Sequence, residues 1–447
     1  MDTALLSRIQ FGLTAGFHFI FPPLTIGLAW LIVFMKTMYL KTGNEDYWKI
    51  SRFWVKIFAI GFVVGVATGI PMEFQFGTNW SAYSRYVGDV FGAPLAAEVI
   101  FTFFLESGFL ALLVFGTGRV SKKVQWFAAL MVAVGSTMSA FWIIVASSWM
   151  QTPAGYEIIN GRAQLTDFMA AVFNPSTLNR YTHTVTAAIV SGSFFMMGLS
   201  AWFLLKGKNI EFAKKSLKIS LIAAAVFSIL QLPIGHLHTV QVANTQPMKL
   251  AAFEALYKTT KGAPLCIIGL PNSAEQVISP PKIEIPNMLS YLIYGDFHAE
   301  VKGLDCVPED ERPPEMATFL TFRGMVALGS YMLLLTIAGI VLLMKGTLYE
   351  NRTFLTLALF SIPAPLLANE FGWISAEVGR QPWIVQGLMK TQQAFSPVVP
   401  AAQVAISIFL FLAVYTLLFT VWIFLLRREL SHGPEALSGE TAGRGKV

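Results

Sequence analysis

Residues 13–37 read LTAGFHFIFPPLTIGLAWLIVFMKT, an apolar run whose ionisable side chains are His18 and Lys36. A helix rises about 1.5 Å per residue, so a run of roughly 20 residues can cross about 30 Å of hydrocarbon. This run is too long for a removable signal peptide and lacks a small-residue cleavage site. We therefore expect it to be retained as a first membrane span.

Runs of the same kind recur along the chain. The predicted spans cover residues 13–37, 53–76, 95–116, 124–149, 183–206, 217–240, 318–345, 353–374 and 400–427. The composition agrees, because 55% of the 447 residues are hydrophobic, 13% are charged, and 37 Phe, 11 Trp and 12 Tyr add aromatic surface. The sequence predicts an all-α integral membrane protein with about nine transmembrane helices.

Lysine and arginine predict how the chain is oriented. They cluster after the odd-numbered spans, within residues 36–56, 119–123, 206–218, 345–352 and 427–446. Cytoplasmic loops hold this excess of positive charge, so we expect the N-terminus outside and the C-terminus in the cytoplasm. The net charge of +6 comes from this asymmetry, and we infer no nucleic-acid partner from it.

The spans divide the chain into four predicted regions. Helices 1–6 lie in residues 1–240, an extracytoplasmic loop in 241–317, helices 7–9 in 318–428, and a cytoplasmic tail in 429–447. The loop is polar and rich in proline. A structureless loop of this length is usually functional or disordered, so we expect a lid or a substrate site there.

The two cysteines of the chain, Cys266 and Cys306, both lie in this loop. Because the outer compartment is oxidising, the sequence favours a disulfide between them, worth about 4 kcal/mol for a loop of roughly 40 residues. Two free thiols are the alternative interpretation.

Ionisable groups inside the spans are functional candidates, because charge is costly at the centre of a bilayer. Glu98 and Glu106 lie eight residues apart in the third span, which on a regular helix puts them about 80° apart and roughly 12 Å apart along the axis. They predict a proton path or the edge of a metal site. A cation-coupled or proton-coupled transporter is the rival interpretation, although Walker, Rossmann and zinc motifs and an internal repeat are not evident in the sequence.

Histidine and methionine raise a second possibility. His18 is flanked by phenylalanines in the first span, and His183 opens the fifth. Each is either a hydrogen-bonded core residue or an axial haem ligand. Met325 lies beside Arg323 in TFRGMVALG. Methionine usually serves packing, but thioether plus imidazole is a haem ligand pair and arginine pairs with propionates.

Motifs along the whole chain resemble subunit I of the cytochrome bd-type quinol oxidases, of the type with a short quinol loop. They are SRIQFG, HFIFPPLTIGLAW, TGIPMEFQFGTNWSAY, the glutamates of the third span, NRYTHT, QPMKLAAFEA, FRGM and GWISAEVGRQPW. The resemblance implies a terminal oxidase of the bacterial cytoplasmic membrane. Such an enzyme oxidises quinol outside and passes electrons through three haems to oxygen, which is reduced to water. It generates a proton motive force without pumping. A membrane haem protein that only relays electrons is a further alternative.

The same resemblance implies roles for individual residues. His183 and Met325 would hold a low-spin haem b, and Lys249 and Glu254 would bind quinol. The remaining assignments concern two high-spin haems, a second haem b and either haem d or a further haem b. The axial ligands would be His18 and Glu377, the propionate and pocket residues Arg8, Arg323, Arg380 and Trp383, and the proton-path and oxygen-site residues Glu98, Glu106 and Ser139. Which high-spin iron His18 and Glu377 each hold stays open.

Partners also follow from the resemblance. Family members pair this chain with a second large membrane subunit, subunit II, and sometimes with a small accessory subunit. The substrates would be quinol, either ubiquinol or menaquinol, and oxygen, and the surroundings a lipid bilayer.

Overall fold

The computed structural model describes residues 2–437, so the last part of the predicted cytoplasmic tail, 438–447, lies outside the described residues. Within residues 2–437, nine helical segments are long and apolar enough to cross a membrane. These segments are Thr3–Thr42, Glu45–Gly77, Ser81–Phe115, Lys122–Gln151, Thr177–Leu205, Ile210–Thr245, Glu309–Met344, Arg352–Val378 and Ala401–His432. The predicted fold class is confirmed.

The α-helices are α1 (Thr3–Phe19), α2 (Phe21–Thr42), α3 (Glu45–Gly77), α4 (Ser81–Ala97), α5 (Phe104–Phe115), α6 (Lys122–Gln151), α7 (Phe168–Val172), α8 (Thr177–Leu205), α9 (Ile210–Thr245), α10 (Pro247–Glu254), α11 (Met288–Tyr294), α12 (Glu315–Met344), α13 (Arg352–Phe360), α14 (Pro363–Val378) and α15 (Ala401–His432). The strands are β1 (Tyr156–Ile159), β2 (Arg162–Leu165), β3 (Thr260–Lys261), β4 (Leu265–Asn272), β5 (Val277–Ile285), β6 (Glu300–Val301), β7 (Trp383–Val385) and β8 (Met389–Lys390). They pair antiparallel as β1 with β2, β3 with β6, β4 with β5 and β7 with β8.

The helices in the structure are longer than the apolar runs of the sequence, because the polar residues that cap the helices lie beyond the apolar residues. Asp2 accepts a hydrogen bond from the Ala4 amide at the start of α1, and Asn44 and Ser121 cap α3 and α6 in the same way. Such caps satisfy amides that have no partner inside the helix. A hydropathy pattern alone does not report them.

The third span is not a regular α-helix. Between α4 and α5 the chain forms a π-helical stretch, Glu98–Phe103. The predicted angle of about 80° between Glu98 and Glu106 assumed a regular α-helix, so it does not apply here. Short π-helical stretches are frequent at functional sites.

The centre of the bundle is held by close packing of α2 against α8. A Cβ atom on Gly27 would lie 2.2 Å from the Ala188 carbonyl oxygen, and one on Gly192 would lie 2.5 Å from the Gly27 carbonyl carbon. Both positions therefore require glycine for the helix backbones to meet. Around this contact, α2, α3, α6 and α8 bury a continuous apolar cluster that includes Trp54.

The region between α9 and α12 is folded, so the expectation of a structureless loop is wrong. It contains α10, α11, the β4–β5 hairpin and the β3–β6 pair. Two apolar clusters hold it together, one around Leu250 and Leu289 and one around Tyr257 and Phe319. Sequence hydropathy missed this region because each element is short and buries only a few side chains.

The predicted disulfide is also wrong in this structure, because Cys266 and Cys306 are free thiols. The Cys266 Sγ atom is buried on β4 and lies 3.4 Å from the Ile268 carbonyl oxygen. Cys306 is exposed, with its Sγ atom 3.2 Å from the Thr259 hydroxyl. The hairpin and the short turn around Cys306 therefore direct the two sulfur atoms to different partners.

Candidate functional site

His18 lies on α1 with its ring against α3. Its Nδ1 atom is 3.0 Å from the Thr68 hydroxyl oxygen, which is itself 2.9 Å from the Val64 carbonyl oxygen and 3.0 Å from that of Gly65. Because those carbonyls can only accept, the hydroxyl donates to them and accepts the hydrogen bond from His18 Nδ1. This arrangement leaves the Nε2 lone pair of His18 free to bind a metal, with Thr68 fixing the tautomer.

Two glycines make room around His18. A Cβ atom on Gly69 of α3 would lie 3.0 Å from the Cε1 atom of His18. On α1, Gly16 lets the carboxylate of Glu370 approach from α14. A Cβ atom on Gly16 would lie 3.3 Å from Glu370 Oε2. The other oxygen of Glu370 is buried without a hydrogen-bond partner among the described residues. An unpartnered buried carboxylate atom is compatible with a bound prosthetic group.

His183 lies on α8 and faces α9. The amide nitrogen of Gln231 is 3.2 Å from the ring, and the His238 ring centroid is 5.4 Å from that of His183. His238 lies near the end of the sixth predicted span, where the membrane interface could hydrate it, but the structure packs it against His183. Position within a span was the only available signal, and it does not report a contact across helices.

Met325 lies on α12 and faces α14. A Cβ atom on Gly372 of α14 would lie 2.8 Å from the Met325 sulfur, so a larger residue there would displace the Met325 side chain. The helix α9 packs against both α8 and α12, the helices that carry His183 and Met325. The two predicted ligands of one iron thus lie on helices that share a neighbour.

Lys249 and Glu254 lie on α10, which follows the C-terminal end of α9. Five residues along a helix separate two side chains by about 140°, so the two groups face different neighbours. Glu254 forms a buried ion pair with Arg323, whose Nε atom has no hydrogen-bond partner among residues 2–437. Burial raises the pKa of the Glu254 carboxyl, and the Arg323 guanidinium opposes this shift.

The ammonium of Lys249 is buried against amides. Its Nζ atom donates to the side-chain oxygens of Gln151 and of Gln246, the latter at 2.8 Å. Burial lowers the pKa of Lys249 well below its ordinary value, the Arg180 guanidinium adds to this shift, and the Glu377 carboxylate opposes it.

Glu377 lies in the last turn of α14 and is surrounded by donors. Its Oε1 atom is 3.2 Å from the Gln151 amide nitrogen, 3.4 Å from the Ser147 hydroxyl and 3.6 Å from the Arg180 guanidinium. Its Oε2 atom accepts from Arg380, whose own Nε atom is buried and unpartnered among the described residues. We call this connected group the outer network. Its members are Ser147, Gln151, Arg180, Gln246, Lys249, Glu377 and Arg380.

Several members of the outer network were missed from the sequence. Arg180 precedes His183 by three residues in NRYTHT, and that spacing was a usable signal because it places a second cation at the same span end. Gln151 and Gln246 carried no such signal. Neutral amides at span ends are common, and only the fold brings these two to Lys249.

The remaining predicted pocket residues lie at the edges of the site. Trp383 is on β7, where it pairs with Lys390 of β8, whose Nζ atom lies 5.5 Å from the ring centroid. Arg8 is exposed on α1. The structure thus pairs Arg323 and Arg380 with carboxylates and leaves Arg8 at the surface.

In the third span, each glutamate meets a serine of α6. Ser139 donates to Glu98 at 2.7 Å, and Ser136 donates to Glu106. The resemblance assigned Ser139 and both glutamates to one proton path, and the structure places Ser139 against Glu98. Because adjacent spans run antiparallel, the later serine on α6 meets the earlier glutamate. We call Glu98 and Glu106 the span-three pair. The sequence did not single out Ser136, because it is one of several hydroxyl residues in GSTMSA.

Partly buried imidazole, thioether and carboxylate groups on packed helices fit haem better than a metal ion held by side chains alone. Among residues 2–437, groups of three or more His, Cys, Asp or Glu that could hold a metal ion are absent. His18 presents one free ring nitrogen, and Arg323 and Arg380 each retain an unpartnered buried N–H suited to propionate oxygens. The fold and these sites define a multi-span membrane protein equipped to hold haem.

Comparison with known proteins gives the family. Residues 6–434 match the family described as cytochrome bd terminal oxidase subunit I, and the chain belongs to this family. It is 40% identical to "Cytochrome bd ubiquinol oxidase subunit 1" of Bacillus subtilis, over 97% of this chain and 95% of that protein. It is 35% identical to "Cytochrome bd-II ubiquinol oxidase subunit 1" of Escherichia coli, over 98% of each chain.

A solved structure agrees with these relatives. The fold superposes on the bd oxidase of Geobacillus thermodenitrificans with a TM-score of 0.91 at 31% identity, covering 97% of this chain and 99% of the other. This protein is therefore an oxidoreductase subunit of bacterial respiratory electron transport, located in the inner membrane, with haem as its class of cofactor.

Proposed function

We propose that this chain oxidises quinol at its outer side and uses the electrons to reduce oxygen to water. The observation that carries this proposal is the outer network, in which the substrate-binding candidate Lys249 is joined through Gln151 to the ligand candidate Glu377. Electrons leaving a quinol at Lys249 would thus start beside a haem ligand. The names of the relatives, two ubiquinol oxidases and a putative menaquinol oxidase, support quinol as the class of substrate.

Lys249 and Glu254 would act on the two oxygens of the quinol. An ammonium has three N–H donors, and in Lys249 two of them point to amide oxygens, so the third can donate to a quinol oxygen. Glu254, with a raised pKa, can accept the proton of the other hydroxyl as a general base. Arg323 holds that carboxylate in place.

Four side chains would hold the irons. His183 and Met325 would ligate a low-spin haem b, and His18 and Glu377 the two high-spin haems, a second haem b and a haem d or further haem b. Bound haem supplies electron transfer and an iron position open to oxygen. Arg8, Arg323, Arg380 and Trp383 would surround the propionates and close the pocket.

The span-three pair would bring protons from the cytoplasm. In the expected orientation, Glu106 and its partner Ser136 would lie nearer the cytoplasmic end of their spans, and Ser139 and Glu98 would follow toward the outer end. The orientation expected from lysine and arginine puts quinol protons outside and oxygen protons inside. Charge would be separated by the sidedness of the two reactions, with no pump.

A second subunit would cover one face of this chain. In the most apolar window of Ser81–Phe115, 17% of the residues are buried, whereas the corresponding value for Thr177–Leu205 is 78%. The exposed side of this span carries large apolar side chains, Val99, Ile100, Phe101 and Phe104, whereas the span-three pair faces α6. This favours docking of subunit II there, while a small accessory subunit remains a proposal from the family resemblance.

The experiment uses the purified complex in detergent or nanodiscs. We expect haem bands in the dithionite-reduced spectrum and oxygen consumption that depends on added quinol. A colourless protein with solute flux would support a transporter instead. A haem protein that consumes no oxygen with quinol would support an electron relay.

Ligand assignment has its own test. Met325→Leu removes the thioether but keeps the volume, so we expect loss of the low-spin haem signal with the other bands kept. Met332→Leu, a buried methionine seven residues further along α12, is the control and should keep all bands. A normal low-spin spectrum in Met325→Leu would contradict the assignment.

A further inference from the structure

We propose that Gln151 is a positioning residue that serves the quinol site and the haem ligand at once. The inference rests on the proposed function, because it takes Lys249 as the quinol donor and Glu377 as an iron ligand. Gln151 is the last residue of α6 and is 1% exposed. Its two amide atoms point to the two sites.

The orientation of this amide follows from its neighbours. Lys249 Nζ has only donors, so the atom of Gln151 facing it is the oxygen. The amide nitrogen then faces Glu377 Oε1 at 3.2 Å, where a carboxylate can only accept. The Gln246 amide nitrogen, 3.1 Å from the same Gln151 oxygen, agrees with this orientation. A flipped amide would put a donor against a donor and an acceptor against an acceptor.

At the quinol end, Gln151 directs the ammonium. Gln151 and Gln246 accept hydrogen bonds from two N–H groups of Lys249, and these bonds fix the direction of the third N–H group. Loss of either amide frees the ammonium to turn away from the substrate oxygen. Because positioned donors lose their effect with small displacements, we expect quinol affinity to fall.

At the haem end, Gln151 restrains the carboxylate. Glu377 Oε1 receives the amide N–H of Gln151 and the hydroxyl of Ser147, and Oε2 receives Arg380. Hydrogen bonds to a ligating group set its orientation and its basicity toward the metal. Removing the Gln151 donor therefore changes the electron density that Glu377 offers to iron.

Three variants of the complex separate the two ends. Gln151→Met keeps the length of the side chain and removes the hydrogen bonds to Lys249, Gln246 and Glu377. Gln246→Met removes a hydrogen bond to Lys249 but none to Glu377. Ser147→Ala removes a hydrogen bond to Glu377 but none to Lys249. The readouts are KM and kcat for a short-chain quinol, and the absorption spectrum and midpoint potential of the high-spin haems.

We expect Gln151→Met to raise KM for quinol about tenfold and also to shift the high-spin haem spectrum and potential. Gln246→Met should raise KM alone, and Ser147→Ala should shift the haem signals alone. Gln125→Met, a buried glutamine at the other end of α6, should change neither. A Gln151→Met complex that responds at one site only would overturn the proposal.

Gln151→Glu keeps the test decisive if the methionine variant does not assemble. It retains an acceptor for Lys249 and replaces the donor to Glu377 by a carboxylate. We expect KM near that of the natural protein and shifted haem signals, and unshifted haem signals would overturn the proposal. Failure of the proposed function looks different, because Lys249→Ala would then leave KM for quinol unchanged.

Discussion

The outer network and the span-three pair hold carboxylates in opposite ways. Glu377 lies among two arginines, an amide and a hydroxyl. Glu98 and Glu106 each receive a serine hydroxyl, and among residues 2–437 neither forms an ion pair. Neighbouring cations and several donors favour the charged form of a carboxylate more strongly than one neutral hydroxyl does.

This difference in surroundings suits the two groups of carboxylates to two different functions. A carboxylate held by cations keeps its charge and position, which suits a ligand to iron. A carboxylate beside a single hydroxyl can bind and release a proton, which suits a proton path. Under the proposed function, the chain would use the same side chain for a fixed role in the outer network and for an exchanging role in the span-three pair.

The largest effect should come from Glu377→Ala. It leaves Arg180 and Arg380 as buried cations without their shared carboxylate, at a cost of about 3–5 kcal/mol. We expect loss of a high-spin haem, near-complete loss of oxygen reduction and a lower unfolding temperature of the complex. The measurements are haem content and thermal unfolding.

Glu350→Ala, at an exposed glutamate between α12 and α13, is the matched control and should change neither. If Glu377→Ala retained its haems and its stability, the outer network would not have the fixed role assigned to it.

Glu106→Gln should have the next largest effect. The amide keeps the contact with Ser136 but cannot carry a proton, so we expect oxygen reduction to fall about 10²- to 10⁴-fold. The haem spectrum should stay unchanged, unlike that of Glu377→Ala. Oxygen consumption and a reduced spectrum measured on the same sample test this, and full activity would remove Glu106 from the proton path.

The pH dependence of quinol oxidation should show a smaller effect. Glu254 works as a base when ionised, so activity rises as pH rises through its raised pKa. Lys249 works as a donor when protonated, so activity falls as pH rises through its lowered pKa. We expect a narrow bell-shaped profile of kcat/KM.

Lys249→Arg is the informative variant for this profile. Because a guanidinium does not lose its proton in proteins, the alkaline limb should disappear while the acid limb remains. An alkaline limb that stays in place would show that another group causes it.

The smallest effects should come from the serines. Ser139→Ala removes one neutral hydrogen bond to Glu98, worth about 1 kcal/mol, so we expect oxygen reduction to fall by no more than about tenfold. Ser136→Ala, which removes the hydrogen bond to Glu106, should lower oxygen reduction to a similar extent. Turnover at several pH values measures both, and a loss as large as that of Glu106→Gln would mean that the hydroxyls themselves relay the proton.

The sequence predicted what depends on local pattern. Hydropathy found the nine spans that lie within residues 2–437. What it missed depends on contacts between distant segments. Gln151 and Gln246 lie 95 residues apart, and Ser136 and Glu106 lie 30 apart, so no local signal joins either pair.

The errors have the same origin. A disulfide between Cys266 and Cys306 followed from counting cysteines, but the β4–β5 hairpin directs the first sulfur inward. The loop between α9 and α12 read as structureless because its elements are too short for a periodic pattern.

The contrast between fixed and exchanging carboxylates is tested most directly by redox-induced infrared difference spectra of the complex. These spectra report carboxylic acid groups that change protonation when the haems are reduced. We predict a carboxylic acid signal that Glu98→Gln and Glu106→Gln diminish and that Ser147→Ala, beside Glu377, leaves intact. A signal that survives both glutamine variants and disappears in Ser147→Ala would contradict the account.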